Sequence, residues 1–246
     1  DKEGMLIKGF DQLNMFVTFY THEYYIHHMQ ALGFVEDARW KEYKIFFPKE
    51  VDPKIRRLSE FVQKKYKLHL QKIRSKRELK KKDIIEVLKL MNVCYANLYG
   101  YVPIEEKHMM HLAGEYFPLL HLDYLQLVRD ENEKLVAFGL MIPTPVKALK
   151  KHNGHLYPFG FIDFLHDLKH AKVLDMLLVA VDPAYQSSGA MAIIFEKAIE
   201  NAIKNKMEHA ETGPELEYND KVQSLWKSFD HECHKERVCF VKKIGA

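Results

Sequence analysis

The chain has 246 residues, 47% of them hydrophobic and 29% charged, enough for a sizeable core and incompatible with a disordered chain. Lys and Arg number 37 against 34 Asp and Glu, a net charge of +3, without the basic excess of a dedicated nucleic-acid binder. No apolar run approaches the ~18 residues of a membrane span, the opening Asp1-Lys2-Glu3-Gly4 lacks a signal-peptide pattern, and three scattered cysteines, Cys94, Cys233 and Cys239, point to a reducing, cytoplasmic setting.

The first residues turn strand-like at Met5–Phe10 without an initiator Met, so the chain is expected to begin inside a folded unit. A helix is expected from Glu23 to Leu32, stopped by Gly33. A strand follows near Trp40–Phe47, with Trp40, Glu42 and Lys44 alternating against Tyr43 and Ile45. Pro48 and Pro53 read as brackets of a linker. From Tyr66 to Arg74 a weak alternation allows a strand. Asp83–Leu98 carries apolar residues every three or four positions (Ile84, Leu88, Met91, Tyr95, Leu98) and predicts a helix. Another helix is expected over Ile104–Gly114, after Pro103.

Leu122–Val128 and Leu135–Ile142 predict two strands around a turn at Arg129–Asn132. The stretch 156–171 has no clear period. Val173–Val181 is almost wholly apolar, as a buried central strand is. Beyond Pro183 the pattern predicts a helix from Ser188 to Asn205, a short strand at Met207–Glu211, a helix over Leu216–Phe229 and a last strand at Arg237–Ile244. Strands interleaved with helices make this an α/β sheet covered by helices. The order helix, Gly-Phe, strand at 23–47 echoes the order at 217–244, which points to two related units.

The stretch Val181-Asp182-Pro183-Ala184-Tyr185-Gln186-Ser187-Ser188-Gly189-Ala190 carries the most chemistry. A buried strand enters a small-residue turn that opens a helix, where unpaired N–H groups and the helix dipole suit a phosphate. An ordinary strand-turn-helix with a Ser cap explains the same residues about equally well.

Val181, Pro183, Gln186 and Gly189 resemble the acyl-CoA pyrophosphate loop of the GNAT superfamily, Val-x-Pro-x-x-Gln/Arg-x-x-Gly, with Met191 standing where that family usually has Gly or Ala. Asn219, Trp226 and Phe229 are similar to the family's late helix, and Arg237–Lys243 to its basic final strand. The element order matches over 66–244. Gly9-Phe10-Asp11, Tyr24-Tyr25 and Gly33-Phe34 look like the end of a first such unit, as in tandem-GNAT bacterial proteins.

The resemblance implies a GNAT-like mixed, splayed sheet flanked by helices, with residues 1–53 as the tail of a first unit and 54–246 as a complete acyltransferase domain. It implies transfer of an acyl group from acetyl-CoA, a longer acyl-CoA or acyl carrier protein to a small amine, with no metal. Leu178, Val179 and Val181 would offer backbone groups to the pantetheine arm, and Gln186, Ser187, Ser188, Gly189 and Ala190 would face the phosphates. Gly189→Trp is then expected to block the turn while the fold survives.

An amine must lose a proton before it attacks. Asp175, alone in an apolar strand, is a candidate base whose pKa burial would raise, with a structural hydrogen-bonding role equally plausible. Glu217 is a second candidate, read first as an acid complementing the helix N-terminus and second as a base; Glu211 is a third and weaker one. Asn219 completes the catalytic set by its match to the family. The family's late-helix Tyr, a general acid, falls on Trp226, whose indole is no useful proton donor, so Tyr218 or water is left to serve. Trp226 and Met191 leave open a non-catalytic thioester- or ligand-binding module; an aminoacyl-transfer protein is a third reading.

Other features favour plain readings. His22 and His27 are five apart and point away from each other on a helix. His231, Cys233 and His234 make a weak metal set, and His166 with His170 a polar helix surface. The basic run Lys72–Lys82 reads first as a solvated connection, second as a dock for an acidic partner. Tyr95, Tyr99, Tyr101, Tyr116 and Phe117 read first as core, second as a pocket lining.

Overall fold

Val173–Val181 forms a strand with the bounds its apolar run predicts. The computed structural model describes residues 4–244; the outermost residues of the 1–53 and 54–246 division lie outside that range. In chain order the elements are β1 (Met5–Lys8), α1 (Tyr24–Ala31), β2 (Val35–Phe46), α2 (Pro53–Tyr66), β3 (His69–Leu70), α3 (Lys81–Tyr95) and α4 (Glu106–Tyr116). Then follow β4 (Leu125–Arg129), β5 (Leu135–Pro143), α5 (Val146–Lys151), α6 (Gly160–His170), β6 (Val173–Val181), α7 (Met191–Lys204), β7 (His209–Thr212), β8 (Glu215–Leu216), α8 (Asp220–Trp226) and β9 (His231–Val241).

The chain divides into two compact units. The first comprises 1–47, 143–177 and 207–246; the second, 48–142 and 178–206.

In the first unit the strands run in the order β1-β9-β2-β7 and then residues 173–177 of β6, with β8 also paired to β2. β6 and β7 are parallel, and β7-β2, β2-β9 and β9-β1 are antiparallel, so the sheet is mixed. α1–β2 and α8–β9 are both helix-turn-strand pieces, and β2 pairs with β9 from Val35↔Val241 to Ile45↔His231. β9 starts at His231, six residues before the expected Arg237, and the added stretch holds Lys235, which is buried and paired, as is Arg237. Arg237 Nε donates to Glu42 Oε1, and Lys235 Nζ lies 3.1 Å from Glu211 Oε2 and 3.2 Å from Glu42 Oε2. The same cations fasten the segment after β1, since Lys235 donates to Leu13 O (2.9 Å) and Arg237 to Phe19 O (2.7 Å).

In the second unit β3, β4 and β5 form an antiparallel ladder, followed by residues 178–181 of β6. Two apolar clusters cover it. One gathers Leu88, Met91 and Met109 of α3 and α4 with Leu127 and Phe138; the other joins Val62 of α2 and Ile193 and Ile194 of α7 to Val128 and Val136. α2 replaces the expected linker: Pro53 is its first residue, the Asp52 carboxylate accepts from the Lys54 amide (2.7 Å), and Lys67 closes it in the left-handed region. Arg129, expected in a turn, ends β4 as a buried anchor, with Nη2 2.6 Å from Asp83 and Nη1 2.7 Å from Glu86, both on α3.

Candidate functional site

The turn after β6 belongs to the second unit. The Asp182 amide donates to Val136 O (2.8 Å), its carboxylate accepts from the Ala184 amide (2.9 Å), and Lys134 Nζ sits 2.8 Å away. Pro183–Ser188 forms a 3-10 turn and Gly189 takes φ +84° before α7 begins at Met191. The expected long helix is therefore two elements, with the break at Gly189. Ser188 Oγ donates to Tyr185 O (2.6 Å) and accepts from the Ala190 amide (3.2 Å). Gln186 Nε2 donates to Val181 O (3.3 Å), and both Gln186 and Ser187 are exposed.

Gly189 is a packing position. A Cβ there would stand 3.3 Å from Val62 and 3.6 Å from Leu58 of α2, in a backbone conformation L residues rarely adopt. This corrects the expectation for Gly189→Trp, which would disturb the fold as well as the turn.

Backbone groups of β6 in this unit are engaged by α3. Tyr95 Oη donates to Val179 O (2.9 Å) and accepts from the Val179 amide (3.3 Å); Cys94 Sγ donates to Val181 O (3.3 Å). Burial pushes the Tyr95 hydroxyl up to about 12 and raises the Cys94 thiol. Leu178 packs into the α3–α4 cluster. Tyr101 Oη donates to Asn92 Oδ1 (2.6 Å), and Phe117 joins the same cluster as Tyr95, so these aromatics act in packing.

The carboxylates belong to the first unit. Asp175 is 1% exposed; its Oδ2 accepts from the Phe16 amide (3.2 Å) and Thr144 Oγ1 (3.0 Å), and burial pushes its pKa up to about 7. Its register partner on β7 is Glu211. Burial alone would raise Glu211, but His209, Lys235 and His234 together hold it at about 2. Glu217 is exposed and paired with Lys41 (2.9 Å), which lowers its pKa. Asn219 precedes α8 without a side-chain capping bond, and its amide donates to Leu216 O (2.9 Å). His234 is buried, its pKa driven down to about 3, with both ring nitrogens lacking a hydrogen-bond partner. No group of three or more His, Cys, Asp or Glu among the described residues is arranged to hold a metal ion.

Glu215 escaped the sequence reading. Its carboxylate accepts from the Trp226 indole (2.9 and 3.1 Å) and from Thr212, and burial pushes it up to about 8. The available signal was Trp226 itself, since a buried indole N–H needs an acceptor.

No family model matches the chain. Protein YghO of Escherichia coli K12 is 23% identical over 252 aligned positions, covering 99% of this chain and 63% of that protein, so the chain spans less than two-thirds of this relative. Among solved structures, a GCN5-related glucosamine N-acetyltransferase region of a fungal multi-domain GH3 β-N-acetylglucosaminidase superposes with a TM-score of 0.55 at 14% identity, over 92% of this chain and 24% of that one. A GCN5-related N-acetyltransferase from Sphaerobacter thermophilus gives 0.51 at 8% identity, over 89% and 56%. The fold is therefore that of the GCN5-related (GNAT) N-acetyltransferases, a mixed α/β sheet with flanking helices.

Proposed function

We propose that the chain is an N-acyltransferase that takes an acyl group from a coenzyme A or acyl carrier protein thioester and delivers it to an amine. The observation that carries this reading is the turn Asp182–Ala190, which leads from β6 into α7 within a GNAT-type fold and places Gly189 in the left-handed region. Exposed Gln186 and Ser187, with Ser188, Gly189 and Ala190, are the proposed phosphate-facing residues; Leu178, Val179 and Val181 would flank the pantetheine arm.

In the proposed reaction the neutral amine attacks the thioester carbon, a C–N bond forms, the C–S bond breaks, and the thiolate takes a proton from water. The proton lost by the amine needs a base. Asp175, at about 7, is poised for transfer at neutral pH. Glu217 is held ionised by Lys41 and is the weaker base. Asn219 would orient the acceptor, and Glu215, at about 8, joins the candidates. The hold of Tyr95 on Val179 favours the alternative, a non-catalytic ligand-binding module, because the backbone groups proposed for the arm are already satisfied.

Thermal unfolding with acetyl-CoA, long-chain acyl-CoA and acyl carrier protein, each against free coenzyme A, tests the reading. A donor at ~100 times its Kd adds about 2.7 kcal/mol of stability. Stabilisation by one donor, with free thiol released when an amine is added, supports transfer. Stabilisation without release would favour the binding module, and no stabilisation by any donor would remove the thioester site altogether.

A further inference from the structure

We propose that the α5–α6 hairpin is a docking surface for an anionic lipid bilayer. The inward side of the hairpin is fully engaged within the first unit. Ala148 is buried and its amide donates to Asp167 Oδ2 (2.8 Å), while Lys151 Nζ and His152 Nε2 each lie 2.6 Å from Asp163 Oδ2. The Phe164 ring meets Phe16 edge-on, and Gly160 is buried so close to His155 O that no Cβ would fit.

On the outward side the Tyr157 and Phe161 rings meet each other, with centroids 6.2 Å apart, and His166 stacks on His170. Tyr157 is 84% exposed, Phe159 69%, Leu165 59% and Ile162 54%, with Phe161 also exposed. Single exposed apolar residues are ordinary, but five within nine positions form a patch that implies a binding surface. On α6 they follow helical spacing: Phe161, Ile162 and Leu165 occupy the outer face of the first turns, and His166, Lys169 and His170 that of the last.

Charge selects the occupant. Residues 146–172 hold five lysines (147, 150, 151, 169, 172) against two aspartates, a surplus of three that equals the net charge of the whole chain. Both aspartates are engaged in the hydrogen bonds above. Lys147, Lys150 and Lys169 are exposed, and Lys151 is exposed while paired with Asp163. Protein-binding patches are depleted in lysine, whereas interfacial helices set Phe and Leu beside lysines and sink the apolar side ~5–10 Å into the headgroup region. Among the described residues no helix is long and apolar enough to cross a membrane.

The test is co-sedimentation of the full chain with phosphatidylcholine vesicles and with vesicles containing phosphatidylglycerol. One variant combines Phe159→Ser, Ile162→Ser and Leu165→Ser; another combines Lys150→Gln and Lys169→Gln. Circular dichroism and Tm establish that each is folded. Binding to the anionic vesicles alone is expected, weakened by salt, abolished in the serine variant and reduced roughly five-fold per lysine removed, which corresponds to about 1 kcal/mol per charge. Equal binding by wild type and serine variant would overturn the proposal, as would a folded wild type that ignores anionic vesicles. A wild-type dimer that dissociates in the serine variant, without vesicle binding, would assign the patch to a second copy of the chain and overturn it equally.

Discussion

The hydroxyl of Tyr95 both donates to the carbonyl oxygen of Val179 and accepts from its amide, at 2.9 and 3.3 Å, so one side chain satisfies the two backbone groups of a residue on β6. An unpaired polar backbone pair costs about 1–3 kcal/mol per group when buried. Tyr95→Phe is expected to lower Tm while keeping the fold. If a thioester arm binds these same groups, it restores what the substitution removes, and the donor-induced rise in Tm is larger in Tyr95→Phe than in wild type. A smaller rise would show that the Tyr95 hydroxyl supports the donor site instead of competing with it.

Asp175 gives stability a distinctive pH dependence. Its folded-state pKa, about 7, lies above the ordinary 3.8, so the folded protein holds a proton that the unfolded chain has released. Its contribution is fully present below about pH 4 and is lost as pH rises toward 7. Glu211 and His234, both shifted downward, act in the opposite sense at acid pH. Comparison of Asp175→Asn with wild type isolates the one group. The variant is expected to gain in Tm relative to wild type between pH 5 and 8, and parallel curves would mean that Asp175 ionises normally.

How far the sequence foretold this structure depended on whether the deciding contacts were local. β6 was legible because its apolar run is bounded by Lys172 and Pro183, and the end of α1 because Gly33 takes φ +76°. α2 was missed although Asp52-Pro53 is a good helix start and Ile55, Leu58, Phe61, Val62 and Tyr66 follow at helical spacing, because Pro48 and Pro53 together read as the brackets of a linker. The expected helix from Leu216 begins only at Asp220, because Leu216 pairs with Trp40 of β2, a contact 176 positions away along the chain. The turn after β6 was read correctly as a turn. The Tyr95–Val179 pairing was out of reach because it needs the packing that brings separate elements together, and of the Glu215–Trp226 pairing only the indole's need for an acceptor was visible.

Two glycines separate backbone requirement from mere occupancy. Gly9 has φ +85°, and a Cβ there would fall 2.4 Å from His234 O; Gly114, inside α4, has nothing within 4 Å. Gly9→Ala is expected to destabilise by more than about 1 kcal/mol through strain and collision. Gly114→Ala should stabilise by roughly 0.5–1 kcal/mol through helix propensity. Chemical denaturation of both variants checks the pair; a tolerated Gly9→Ala would mean that the loop after β1 does not lie against β9 as described.

Glu215 and Trp226 make the last prediction readable by light. The chain has two tryptophans, Trp40 and Trp226, so Trp40→Phe leaves one reporter. Its indole N–H donates to a carboxyl group that burial raises to about 8. Ionisation of that group places a full negative charge beside the ring and should shift its emission. Fluorescence of the Trp40→Phe protein is therefore expected to titrate with a midpoint near pH 8. Adding Glu215→Gln keeps an acceptor for the indole but removes the proton, and the transition should vanish. A midpoint in the ordinary carboxylate range would show that water reaches Glu215, and its claim to be a proton-transfer group at neutral pH would fall with it.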